Sequence, residues 1–238
     1  MPIDLRKVEA VAPSLLATAT TAKAEIERSS LNGRLSNVAL CLDFSASMRK
    51  LYKNGTIQSF SEQILALATQ LDENGEIDVF AFDWTATHLG SVSIDNYTGS
   101  IDRLSKGRKM GSTNYAAAFD AVDDFYKPKK SLFARKEKAA THPTLVLFVT
   151  DGVPDSKTAA VKSLTRVSTR PIFWQFLSIG AEIPFLTKLD DLKDRFIDNA
   201  DYENVDDVGT LSDLDLFGII LKEYPGWVTE MTARGAIA

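Results

Sequence analysis

The sequence predicts an α/β fold: a doubly wound, mostly parallel six-stranded sheet with one antiparallel edge strand, helices on both faces and an N-terminal helical arm. Three observations predict it. Short, nearly continuous apolar runs read as strands covered on both faces. Amphipathic stretches at helical spacing lie between them and supply the crossovers that parallel strands require. One link is too short for a helix, so the strand after it runs back against its neighbour.

Taken in order, residues 1–35 form the arm. Pro13 splits it into a short and a longer helical stretch, the latter rich in Ala and Thr with little apolar face, and Asn32-Gly33 makes the turn out of it. Residues 36–238 form the main domain. Asn37 to Leu42 is the first strand, and Phe60, Ile64, Leu67 and Leu71 mark the first long helix. Ile77 to Phe82 is the second strand, and Thr85 to Ile94 returns as the reversed edge. Tyr115, Phe119, Val122 and Phe125 mark a helix before the strand Thr144 to Val149. Val161, Leu164 and Val167 mark another before Ile172 to Ile179. A weaker strand, Arg195 to Asn199, closes the far edge. Leu214, Phe217 and Leu221 define a helical face, and Pro225-Gly226-Trp227 folds the tail back with Trp227 as its anchor.

Composition narrows the function. The chain has 238 residues, a formal net charge of -5, and a single cysteine, Cys41, placed in a buried strand as inert packing. One Cys with His88 and His142 supplies neither a disulfide framework nor a usual four-ligand zinc site. The first residues mix charges and lack the apolar core of a secretory signal, and no apolar run approaches the roughly 18 residues of a membrane span. A soluble cytoplasmic protein is expected.

Arg103 to Lys138 is basic and Glu182 to Asp215 acidic; each reads as a solvated face. The basic stretch Lys127 to Lys138 has Phe133 alone as a stacking aromatic, so no nucleic-acid partner is expected. Asp198 to Asp207 lacks the spacing of a calcium loop.

Three segments carry chemistry. Asp43-Phe44-Ser45-Ala46-Ser47 follows the first strand, Gly111-Ser112-Thr113 precedes a helix, and Thr150-Asp151-Gly152 ends the strand TLVLFV. In an open parallel sheet, ligands bind outside the carboxyl ends of the strands where the connections diverge. If the strand after the long crossover pairs beside the first, Asp43 and Asp151 flank that crevice. Two carboxylates and the hydroxyls of Ser45, Ser47 and Thr113 make an all-oxygen set, which suits Mg²⁺ or Mn²⁺. Alternation points Asp43, Ser45 and Ser47 one way while Phe44 and Ala46 pack inward. Gly111 and Gly152 relax the backbone for close approach. Octahedral coordination then leaves a position for water or for an incoming carboxylate.

Asp43, Ser45, Ser47, Thr113 and Asp151 resemble the metal-ion-dependent adhesion site (MIDAS) of von Willebrand factor A-type (vWA) domains. The likeness runs from Asn37 to about Gly226, with the motifs in the family's order. The resemblance implies that the serines and threonine hold the ion, that the aspartates hold it directly or through water, and that a partner protein's Asp or Glu completes the shell. A narrower likeness is to the bacterial subgroup associated with tellurium-resistance and general stress operons. Ala12 to Leu16, Leu65 to Ala68, Ile77 to Phe80, Ile94 to Tyr97 and Glu223 to Trp227 carry it. Ala46 departs from the Gly that many relatives place there.

Singly, these residues have ordinary roles: Ser45, Ser47 and Thr113 as helix caps, Asp151-Gly152 as a turn, Asp83 as a turn carboxylate. Jointly they point to a non-catalytic interaction module. The alternative is a metal-dependent phosphoryl-transfer or hydrolytic enzyme. Such an enzyme working through an aspartyl nucleophile usually carries a second carboxylate two residues on, where Ser45 stands, and no G-x-S-x-G elbow or P-loop is present. Extracellular adhesion is disfavoured by the missing signal and the lone cysteine.

Overall fold

The computed structural model describes residues 2–31, 33–127 and 141–237. The elements run α1 (Leu5–Val11), a 3₁₀ turn (Pro13–Leu15), α2 (Leu16–Arg28), β1 (Asn37–Asp43), α3 (Arg49–Lys53), α4 (Thr56–Leu71), β2 (Ile77–Phe82), β3 (Ala86–Val92), α5 (Ser100–Ser105) and α6 (Tyr115–Tyr126). There follow β4 (Thr144–Thr150), α7 (Lys157–Val167), β5 (Ile172–Ile179), α8 (Pro184–Asp190), β6 (Ala200–Val205), α9 (Asp213–Ile220) and α10 (Tyr224–Ala233).

The sheet order is β3-β2-β1-β4-β5-β6, with β2 and β3 antiparallel and every other pair parallel. This is the expected doubly wound sheet with one reversed edge strand. From β1 the chain crosses to β2 on one side and later returns to β4 on the other. The connections therefore diverge between β1 and β4, which places a crevice above Asp43 and Thr150.

Successive residues of the central strands are buried on opposite faces. Leu40, Leu42, Val79, Leu147 and Phe173 join one apolar layer with α2, α4, α9 and α10. Cys41, Phe80, Phe82, Phe148 and Trp174 join the other, under α6, α7 and α8. Burial on both faces is why these strands read as continuous apolar runs.

The N-terminal helices belong to the first layer. Ala19, Ala22 and Ile26 of α2 are buried against it, and the small side chains let α2 lie close to α4. Asn32 of the expected turn and residues 128–140 of the basic stretch, Phe133 included, lie outside the described residues.

Two expectations are corrected. The last strand is β6, not Arg195 to Asn199. Arg195 instead turns its guanidinium onto the Leu192 carbonyl at 2.9 Å and the Asp198 carboxylate at 2.6 Å, which closes that segment into a loop. β6 is polar because an edge strand has one neighbour and a wetter face. On α9 the inward face is Leu216, Phe217 and Ile220, while Leu214 is exposed. Ser212 caps this helix by accepting from the Asp215 N–H at 3.1 Å, and the resulting start sets the phase. Trp227 is buried, its ring 5.5 Å from that of Phe173 on β5, so the tail anchors on the sheet itself.

Candidate metal centre

Asp43 is the last residue of β1 and is fully buried. Its Oδ1 accepts the Ser45 backbone N–H at 2.8 Å, which tightens the turn leaving the strand. Its Oδ2 accepts the Thr150 hydroxyl at 2.6 Å, so the ends of β1 and β4 are tied across the crevice. Phe44 and Met48 pack inward, whereas Ala46 is exposed, contrary to the expected alternation. The Phe44 and Tyr52 rings pack edge to face with centroids 4.9 Å apart, and the Tyr52 hydroxyl donates to the Asp43 carbonyl at 3.0 Å.

The hydroxyls of Ser45 and Ser47 lie 3.0 Å apart, and Ser47 Oγ donates to Asp151 Oδ1 at 2.8 Å. With the Ser47 proton engaged by the carboxylate, Ser45 is the donor of the pair. A continuous chain thus joins Asp43, Ser45, Ser47 and Asp151.

The third loop is docked by backbone. Gly111 N–H donates to the Phe44 carbonyl at 3.0 Å, and Ser45 and Gly111 form an isolated parallel bridge. A side chain at Gly111 would place its Cβ 2.6 Å from the Trp84 ring, so any residue larger than glycine here displaces the indole. Gly152 has nothing within 4 Å of such a position, and the close approach expected for it is not what its surroundings demand.

Asn114, not Thr113, caps α6, accepting from the Ala117 N–H at 3.1 Å. The Thr113 backbone is held by the Asp155 N–H at 2.9 Å, while its hydroxyl makes no hydrogen bond among the described residues. Asp83 is a structural carboxylate: it accepts from the Thr85 N–H at 2.9 Å and pairs with Arg108 at 3.0 Å.

Burial pushes the Asp43 carboxyl up to about 6; the hydrogen bonds from Thr150 and Ser45 oppose the rise and the neighbouring Asp151 charge adds to it. Among the described residues no Lys or Arg forms an ion pair with Asp43 or Asp151. Two carboxylates without an ion-pair partner among the described residues, together with three hydroxyls, fit a hard divalent cation held through oxygen. The donor chemistry therefore agrees with the group that the sequence implied.

Sequence reasoning missed Thr150 as a positioning residue, because a β-branched residue closing an apolar strand reads as part of that strand. It also missed Asp155, whose Oδ2 accepts the Ser112 hydroxyl at 2.7 Å and steadies the Thr113 loop.

Elsewhere, Asp190, Asp201 and Glu223 bring three carboxylates together near the far edge of the sheet, and Lys222 approaches Asp201 at 3.5 Å.

A family model described as the vWA found in the TerF C terminus matches residues 35–237. The chain belongs to this vWA-TerF-like family. The vWA chain is 34% identical over 220 residues to the YcbR protein of Bacillus subtilis (strain 168), covering 90% of the chain and 86% of YcbR. Its fold is similar to that of proximal thread matrix protein 1 from the mussel byssus, with a TM-score of 0.54 at 11% identity over 79% of this chain and 47% of that one. A further structure of that byssus protein, with a zinc-occupied MIDAS motif, matches with a TM-score of 0.52 at 13% identity, covering 79% of this chain and 46% of that one. The pilus adhesin SpaC from Lactobacillus rhamnosus GG matches with a TM-score of 0.52 at 10% identity, covering 84% of the vWA chain and 30% of SpaC. The vWA chain thus spans less than half of these structural relatives, and the likeness bears on fold. No helix among the described residues is long and apolar enough to cross a membrane.

Proposed function

We propose that this vWA chain is a non-catalytic interaction module that binds an Asp or Glu carboxylate of a partner protein through Mg²⁺ or Mn²⁺. The proposed setting is tellurium resistance or the general stress response. Asp43, Ser45, Ser47, Thr113 and Asp151 hold the ion. The observation that carries the reading is the hydrogen-bonded chain from Asp43 through Ser45 and Ser47 to Asp151, built from loops far apart in sequence, with neither aspartate ion-paired to a Lys or Arg among the described residues. The byssus protein's zinc-occupied MIDAS supports it by analogy of fold.

When bound, the ion supplies a Lewis-acidic vertex for a carboxylate ligand. The chain's own residues do the rest. Thr150 and the Ser45 N–H fix both oxygens of Asp43 in a buried setting, so little reorganisation is needed on loading. Ser47 orients Asp151 at the more exposed side. The non-catalytic reading is supported by Ser45 at the position where an aspartyl phosphotransferase carries its acid, and by His88 lying away on β3, engaged with Asp78 at 3.0 Å.

The test is affinity capture with the full chain in Mg²⁺ or in EDTA, repeated with Thr113→Ala, alongside a generic phosphatase screen. Partners retained only in Mg²⁺ and lost with Thr113→Ala are expected. Capture indifferent to EDTA contradicts the interaction reading, and turnover abolished by Asp43→Asn contradicts the non-catalytic one.

A further inference from the structure

The rim of the crevice has two features that ion binding does not require. Trp84 is 62% exposed, although it is among the largest apolar side chains of the protein. Its ring lies over Gly111 and its carbonyl accepts the Asn114 amide at 3.1 Å, so an exposed indole on an anchored backbone borders the loop that presents Thr113. Val153, two residues beyond Asp151, is 55% exposed. The second feature is charge. Arg49, Lys50 and Lys53 of α3 are exposed and form no ion pair among the described residues. With Ala46, Ser47 and Asn54 they line a groove of about 490 Å³ that opens at Ser47. In a chain of net charge -5 this strip is a local reversal of sign beside two aspartates.

Exposed lysines on a short helix are ordinary in themselves. The position of these is what matters, since the groove they line contains a proposed ion ligand. Such a strip attracts carboxylates and steers their approach, and an exposed tryptophan, with only two side-chain torsions to fix, provides apolar contact at low entropic cost.

We propose that the segment docking here is an acidic peptide with an adjacent aromatic or aliphatic side chain. One carboxylate completes the ion's shell, further carboxylates lie along Arg49, Lys50 and Lys53, and the apolar residue rests on Trp84. The inference rests on the proposed ion site and names the partner that the site selects. A single-stranded nucleic acid is the competing ligand for cations beside an aromatic. Three cations and one indole are too short a basic and aromatic track for a polynucleotide, which favours the peptide.

Fluorescein-labelled peptides on a Gly-Ser backbone test this with the full chain. One carries a single Asp, one an Asp within a run of Glu, and one the same acidic run with Phe beside it; oligo-dT is the nucleic-acid probe. Mg²⁺ binding to the protein alone is followed in parallel by calorimetry. The acidic peptide with Phe is expected to bind tightest and to weaken with salt, because exposed charges are screened. The double variant Lys50→Glu, Lys53→Glu should weaken both acidic-run peptides roughly tenfold through lost pairs and new repulsion. Trp84→Ala should weaken only the Phe peptide, also roughly tenfold. Both variants should bind Mg²⁺ like the parent. Equal binding of the three peptides, preference for oligo-dT, or Mg²⁺ binding without peptide binding overturns the inference. Failure of the parent chain to bind Mg²⁺ overturns the ion site instead; the peptide surface then stands only if the same variant pattern persists in EDTA.

Discussion

Replacing Thr150 with valine removes one hydroxyl from a fully buried position and nothing else of comparable size. That hydroxyl donates to Asp43 Oδ2 at 2.6 Å and accepts the Gly152 N–H at 3.2 Å. The carboxyl of Asp43 is already pushed up from 3.8 to about 6, chiefly by burial, so its ionisation costs the folded protein about 3 kcal/mol. The folded chain then binds this proton more tightly than the unfolded chain, and stability falls as pH rises through about 6. Removing Thr150 takes away an interaction that holds the value down, so the value rises further and the fall continues above pH 6. At pH 8 the lost bond is charge-assisted and should cost about 1.5–3 kcal/mol; at pH 5, with Asp43 protonated, the loss should be about 0.5–1.5 kcal/mol. Urea unfolding of the chain and of Thr150→Val, in EDTA at both pH values, measures the difference. A deficit of equal size at both would refute the argument that Thr150 acts on the Asp43 charge.

Gly111→Ala should leave folding within about 1 kcal/mol, because the exposed indole of Trp84 can swing aside; intrinsic fluorescence should change and Mg²⁺ affinity should fall, as calorimetry would read. Asp123 is buried between Arg166 at 2.8 Å and Arg170 at 2.9 Å, a network that binds α6 to α7. Asp123→Ala should cost about 3 kcal/mol in urea unfolding, against less than about 1 kcal/mol for the half-exposed Asp120→Ala. Asp190 is raised to about 7 by partial burial and by the charges of Asp201 and Glu223, so its contribution to stability is lost as pH rises through about 7. Asp190→Asn should therefore raise the melting temperature more at pH 8 than at pH 5.

How much could be read in advance follows from what each element buries. β1, β2, β4 and β5 lie inside the sheet with both faces covered, so their apolar runs were unmistakable. β6 has one neighbour and carries Asp201, Glu203 and Asn204, so its pattern resembled a loop, and the apolar Phe196-Ile197 drew the assignment five residues early. On α9, Leu214, Phe217 and Leu221 form an i, i+3, i+7 set that reads as an apolar face, whereas the buried residues are Leu216, Phe217 and Ile220; the helix start set by the Ser212 cap separates the two phases. Asp43, Ser45, Ser47 and Asp151 were legible because a ligand set must sit at strand ends, and the structure links these four by hydrogen bonds. Thr113 lies on the loop that Gly111 pairs with Ser45. Thr150 and Asp155 were not legible, since their roles depend on loops meeting across the crevice rather than on local pattern.

A crystal of the full chain grown with Mn²⁺ and measured at the manganese absorption edge reports the ion's position directly. The expected result is an anomalous peak in the crevice between β1 and β4, in contact with oxygens of Ser45, Ser47 and Thr113. A peak confined to Asp190, Asp201 and Glu223, or no peak in that crevice, would contradict the assignment of these residues to a divalent cation.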